Sequence, residues 1–206
     1  IAPKTFRELS KHPNIVAVKE ACGNISQIAE TKYLCGDELD LYSGNDDQIL
    51  PILSLGGIGV ISVLSHVAPK VAHDICQFYF DGKIAESTKL QLEYMDLIHA
   101  LFIDINPIPV KEAVNLMGFA AGPCRMPLYP MSDADREVLI AAMKAKKETP
   151  ADAGVFLSVV FLWSIKNTKK SGHCKYAKSK EKNLISREIR FFLAKTTGLE
   201  SASFCV

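Results

Sequence analysis

An α/β fold of consecutive parallel βα units follows from the hydrophobic patterning of this 206-residue chain. Three short apolar runs, at residues 14–18, 39–43 and 57–63, are separated by stretches with helical spacing. Short strands that are mostly apolar belong to parallel sheets covered on both faces. After Val63 strand patterning stops and only helical patterns follow, so the βα units run on into a helical extension. With 48% hydrophobic residues the chain can bury one good core, and its composition does not suggest disorder.

The elements read off in order. Residues 3–12 carry a proline suited to a first helical turn and apolar spacing at Phe6 and Leu9, which predicts a helix leading into the strand at 14–18. Asn24 or Ser26 caps a second helix that turns Ile25, Ile28, Ala29 and Leu34 toward the sheet and stops at Gly36. A strand at 39–43 is followed by a helix at 46–55, broken or bent near Pro51, and then by a strand at 57–63. Helices are expected at 69–80, 83–102, 109–117 and 132–147. The last opens on Ser132-Asp133-Ala134-Asp135, a capping sequence with acids where the helix dipole favours them.

One residue in this frame carries chemistry. The run Ile15-Val16-Ala17-Val18 ends abruptly in Lys19, and an amine at the end of a buried strand can be desolvated into a nucleophile toward carbonyl carbon. The plainer reading is a lysine that leaves the core and reaches for water. Context favours the first. The segment IVAVKEACGN resembles the lysine-bearing strand of the dihydrodipicolinate synthase and N-acetylneuraminate lyase family. Tyr42-Ser43-Gly44-Asn45-Asp46-Asp47 and Gly56-Gly57-Ile58-Gly59-Val60-Ile61-Ser62-Val63 resemble further family segments in the right order. Asn106-Pro107-Ile108-Pro109-Val110-Lys111 looks like the synthase branch. The resemblance fades near Lys147.

The resemblance implies the C-terminal part of a (β/α)8 TIM barrel, about three βα units, followed by helices. Residues 1–66 would be the partial barrel and 67–148 the C-terminal helices. In such a barrel the reacting groups sit at the carboxyl ends of strands, so Lys19, Gly44 and Ile61 are expected at one mouth. On the family's pattern Lys19 condenses with the ketone of pyruvate, and the resulting enamine attacks the aldehyde of L-aspartate 4-semialdehyde. Ile61 and Gly44 correspond to positions bounding the pyruvate pocket. A core isoleucine and a turn glycine are the plainer alternatives for these two. Neither metal nor organic cofactor is implied, because a protonated imine is itself an electron sink. Family members are commonly homo-oligomers, often tetramers.

Other residues are given structural roles. Glu20 should point to the opposite side of its strand from Lys19, and Asp46 and Asp47 should cap the helix that follows them. Lys111 reads as architectural. The GGIG glycines precede a strand rather than follow one, which argues against a phosphate loop. His12, His66, His73 and His99 lack metal spacing. Cys22, Cys35, Cys76, Cys124, Cys174 and Cys205 form no CxxC or short-range framework, so reduced thiols are expected, several of them in the core.

A bare barrel takes about 250 residues, more than the roughly 150 that resemble the family. The chain opens at Ile1 without initiator Met, signal peptide or transit sequence, so a fragment of a cytoplasmic protein is expected. The family's proton-relay tyrosine, its threonine pair and its carboxylate-gripping arginine belong to strands before Lys19. No residue here matches them, and loss of such a relay typically costs about 10²–10⁴-fold.

Composition shifts at Pro150: residues 1–150 carry a net charge of −5 and residues 151–206 a net of +6. The apolar run at 154–165 is shorter than the ~20 residues that cross a bilayer, and 166–182 is basic. Residues 149–206 are read as a non-family tail, disordered or mis-translated, without membrane or nucleic-acid partners. Three alternatives stand beside a synthase fragment. They are a related lyase for sialic or sugar acids, a non-catalytic truncated product, and a binding module driven by the basic tail.

Overall fold

A computed structural model describes residues 1–146. The tail boundary at 149, the apolar run at 154–165, the basic stretch at 166–182, Cys174 and Cys205 lie outside the described residues. The elements in chain order are α1 (Pro3–Leu9), β1 (Ala17–Glu20), α2 (Ile25–Cys35), β2 (Asp40–Ser43), α3 (Ile49–Ser54), β3 (Gly59–Val60), α4 (Pro69–Phe80), α5 (Ile84–Glu93), α6 (Met95–Leu101), α7 (Ile108–Leu116) and α8 (Asp133–Lys146). The strands form one parallel sheet in the order β1-β2-β3.

Local chemistry accounts for most boundaries. The Asn24 side chain accepts from the Gln27 N–H at 3.2 Å, and Gly36, at φ 56°, ends α2. Ile28, Thr31 and Cys35 form the buried stripe of this helix. Ile25, expected to face the sheet, is exposed. Thr31 tolerates burial because its hydroxyl donates to the Gln27 carbonyl at 3.0 Å. At α8 the Ser132 hydroxyl accepts from the Asp135 N–H at 3.1 Å, as its capping sequence predicts.

Several boundaries depart from expectation. Strand β1 begins at Ala17, because Ile15 is still held in a turn by its N–H bond to the His12 carbonyl. Lys19 and Glu20 therefore lie inside the strand rather than after it. Strand β3 is two residues long, since the chain turns at Val63 into a 3-10 turn at Leu64–His66. Pro51 does not break α3: it sits in the first turn, where a missing N–H costs nothing. The bend falls earlier, at Gln48, where a 3-10 turn at Asp46–Gln48 meets α3. The expected helix at 83–102 is two helices meeting at Tyr94. They bury different surfaces: α5 presents Ser87 and Gln91, while α6 sends Leu97, Ile98, Ala100 and Leu101 into the core.

Among the described residues, helices cover one face of the sheet. Val18 packs with Ile28, Leu41 and Ile52, and Val60 with Ile49, Leu53, Ile75 and Cys76. The other face presents Ala17 and Lys19, both exposed, and Asp40 and Tyr42, both half-buried. Burial on both faces, expected from the apolar runs, is thus not seen among the described residues. A larger cluster joins Val63, Leu64, Val67 and Ala68 to α6, α7 and α8, so the segment leaving β3 is rooted in the helical core.

Candidate active site

Parallel register and strand alternation assemble the candidate site. Lys19 pairs with Tyr42, and Tyr42 with Gly59. Because side chains alternate across a strand, Lys19, Tyr42, Gly44, Gly59 and Ile61 fall on the open face, and Glu20, Ser43 and Val60 on the helix-covered face. Lys19 is the third residue of β1, Gly44 follows β2 and Ile61 follows β3. All three stand at the carboxyl end of the sheet.

Gly44 and Lys19 are in intimate contact. The Gly44 N–H donates to the Glu20 carbonyl at 2.7 Å, which draws the end of β2 against β1. A Cβ at Gly44 would lie 2.9 Å from Cε and 3.0 Å from Cγ of Lys19, and 2.8 Å from the Ala21 Cβ. The lysine side chain occupies the space that any other residue at 44 would fill. Lys19 as a residue is exposed in this chain. Tyr42 reaches toward Gly59, where a Cβ would meet its ring at 3.4 Å.

Ile61 is not a core residue: it is 48% exposed on the open face. Its N–H donates to the Ser43 carbonyl at 2.8 Å, one ladder bond beyond the last paired residue. Glu20, by contrast, is buried on the covered face, and its Oε1 accepts from the Cys22 N–H at 2.9 Å. The GGIG glycines serve packing. A Cβ at Gly57 would sit 2.7 Å from the Ile52 carbonyl oxygen, and Gly56 adopts φ 86°.

Asp46 departs most from its sequence reading. It is fully buried and does not cap α3; instead its Oδ2 accepts from the Val63 and Leu64 N–H groups, each at 2.9 Å. These are among the unsatisfied donors that open the 3-10 turn after β3. Burial pushes the Asp46 carboxyl pKa up, opposed by hydrogen bonding from Ser62 and from the Leu64 and Val63 amides, and by His66. The Asp46 carbonyl accepts from Gln91 Nε2 at 2.7 Å, and Gln48 Nε2 donates to the Gly23 carbonyl at 3.1 Å. The turn after β2 is therefore tied to the segments after β1 and β3 and to α5. Sequence reasoning missed this bracing, since an aspartate near a helix start reads as a local cap and a glutamine far along the chain carries no signal.

Lys111 donates to the Pro123 carbonyl at 2.8 Å, an architectural contact away from the sheet. Among the described residues no group of three or more His, Cys, Asp or Glu side chains could hold a metal ion, and no helix is long and apolar enough to cross a membrane.

Comparison with known proteins bears on this arrangement. The chain is 54% identical over 143 residues to a 4-hydroxy-tetrahydrodipicolinate synthase of Caldicellulosiruptor saccharolyticus, covering 69% of this chain and 48% of the relative. It is 52% identical over 153 residues to the Clostridium novyi protein of the same name, covering 74% and 52%. The chain thus spans about half the length of the curated relatives it matches. The solved dihydrodipicolinate synthase of Thermotoga maritima superposes with a TM-score of 0.68 at 40% identity, over 70% of this chain and 50% of that one. The Cyanidioschyzon merolae enzyme with lysine bound gives 0.68 at 39%, over 71% and 50%. These neighbours imply a TIM-barrel family, with which a three-stranded parallel sheet and its helices are consistent. With the family's sequence profile matching residues 1–146, the chain belongs to the Dihydrodipicolinate synthetase family.

Proposed function

We propose that this chain is the C-terminal portion of a 4-hydroxy-tetrahydrodipicolinate synthase, and that Lys19 is its Schiff-base residue. The observation that carries the reading is the lysine at the carboxyl end of a parallel strand, its side chain lying along Gly44 on the open face that also bears Ile61. The relatives of known name are 4-hydroxy-tetrahydrodipicolinate synthases, which favours this branch over a sialic-acid lyase. The three βα units would be the last part of a (β/α)8 barrel, and the helices after β3 its C-terminal extension.

In this reading the Lys19 amine adds to the ketone carbon of pyruvate, and loss of water leaves a protonated imine. The imine draws electrons from the adjacent methyl group, which gives up a proton and becomes an enamine carbon. That carbon forms the new C–C bond with the aldehyde of L-aspartate 4-semialdehyde. The semialdehyde's amine then closes the ring at the imine carbon and expels Lys19, restoring the free amine. Gly44 gives the lysine its course, and Ile61 supplies an apolar wall at the sheet's edge. Proton relay and the grip on the second substrate fall to residues that precede β1 in the family's pattern. Cytoplasmic location and a homo-oligomeric state belong to the same reading.

Borohydride reduction in the presence of pyruvate, followed by peptide mapping, tests it. The expected result is one reduced pyruvyl adduct, on Lys19, and none in Lys19→Ala. Adducts spread over several lysines, or their persistence in the variant, would overturn the assignment.

A further inference from the structure

We propose that Asp46 is the positioning residue of this site, its buried carboxylate holding the Ile61–Leu64 segment in the course that sets Ile61 on the open face. The inference rests on the Schiff-base reading and adds to it a residue that touches neither Lys19 nor the open face. Ile61 is fixed from two directions. Its own N–H is bonded to the Ser43 carbonyl at 2.8 Å, and the chain two and three residues on donates to Asp46 Oδ2 through Val63 and Leu64, each at 2.9 Å. Ser62, between these anchors, is itself tied to Ser65, whose N–H donates to its hydroxyl at 2.9 Å, so the carboxylate closes a short braced turn that sets where the strand ends and the isoleucine projects.

Asp46 is suited to hold rather than to react. It is fully buried, and its main chain is fastened to α5 by Gln91 at 2.7 Å. On the far side of the bond, Leu64 is fully buried in the cluster with α6, α7 and α8. A neutral acceptor of the same shape could satisfy the same two amides at lower desolvation cost, so the hold lies in the placed oxygen rather than in the charge.

The test uses the 206-residue chain with Asp46→Ala and Asp46→Asn, since asparagine keeps an oxygen to accept from both amides. Amide exchange is followed at Val63 and Leu64, and pyruvyl trapping at Lys19. In Asp46→Ala the two amides are expected to exchange roughly tenfold faster or more while the β2 amides keep their protection. Trapping should slow, by up to about 10²-fold if the wall shifts by an ångström. Asp46→Asn should stay near the parent in both readouts, the rescue that distinguishes a hold from a need for charge. Unchanged exchange in Asp46→Ala, faster exchange with trapping unaltered, or Asp46→Asn falling as far as Asp46→Ala would each overturn the proposal. If the parent traps no pyruvate while the exchange pattern appears as expected, the hold on the segment stands and the Schiff-base reading falls.

Discussion

A Cβ on Gly44 would stand 2.9 Å from the Cε of Lys19, so the glycine is what lets the lysine run across the end of β2. Gly44 does not lie in the left-handed region, and its requirement is for space alone. Gly44→Ala is therefore expected to push Lys19 off its course, because the second obstacle, the Ala21 Cβ at 2.8 Å, cannot swing away. Overpacking of this kind costs about 1–3 kcal/mol. The expected signature is a modest fall in thermal midpoint with a larger fall in pyruvyl trapping, on the order of 10²-fold for an amine displaced by an ångström. Parent-like trapping in this variant would show that the lysine has another path.

Ile61 and Ile52 make a contrasting pair. Ile52 is completely buried between α3 and the sheet, whereas Ile61 is 48% exposed. Ile52→Ala should cost about 2–5 kcal/mol in denaturant unfolding. Ile61→Ala should fall within about 1 kcal/mol of the parent, yet raise the pyruvate concentration needed for half-maximal trapping. Equal destabilisation by the two substitutions would mean that Ile61 is packed after all.

The βα order, the cap at Asn24, the stop at Gly36 and the span of α4 were legible in the sequence because each is decided by neighbours a few residues away. What decided the rest lies far along the chain. The length of β3 is set by pairing with Tyr42 and Ser43, and the break at Tyr94 by two helices that serve different surfaces. The role proposed for Lys19 has its own signal in the strand and the KEACGN context, whereas those proposed for Gly44 and Ile61 rest on a family's pattern alone, since a turn glycine and a core isoleucine carry no signal of their own. Asp46 could not be assigned, because its partners are 17 and 18 residues away.

The pH dependence of folding should carry the mark of Asp46. Burial raises its pKa above the ordinary 3.8, so the folded chain holds the proton more tightly than the unfolded chain. Its contribution to stability is then full below the ordinary value and is lost as pH rises through the raised one. Asp46→Asn has no such loss. The stability of this variant relative to the parent should accordingly improve from about pH 3 to pH 7, with the other carboxylates cancelling in the difference. A difference that stays flat, or moves the other way, would mean that the carboxylate is not held at a raised pKa.

Thiol reactivity offers an independent check on the packing. Cys22 is exposed, Cys35 and Cys76 are buried, and all are free thiols. Burial is the leading cause of a raised pKa at each, and Cys76, next to the charge of Asp46, is pushed up to about 12. Since the thiolate is the nucleophile, Cys76 should resist alkylation doubly, by lack of access and by lack of ionisation. Timed alkylation of the folded chain at mildly alkaline pH, read by peptide mass, should label Cys22 ahead of Cys35 and leave Cys76 intact until denaturant is added. Labelling of Cys76 at the rate of Cys22 under native conditions would mean that α4 does not close over α3 and β3, and with it the support beneath the sheet would be lost.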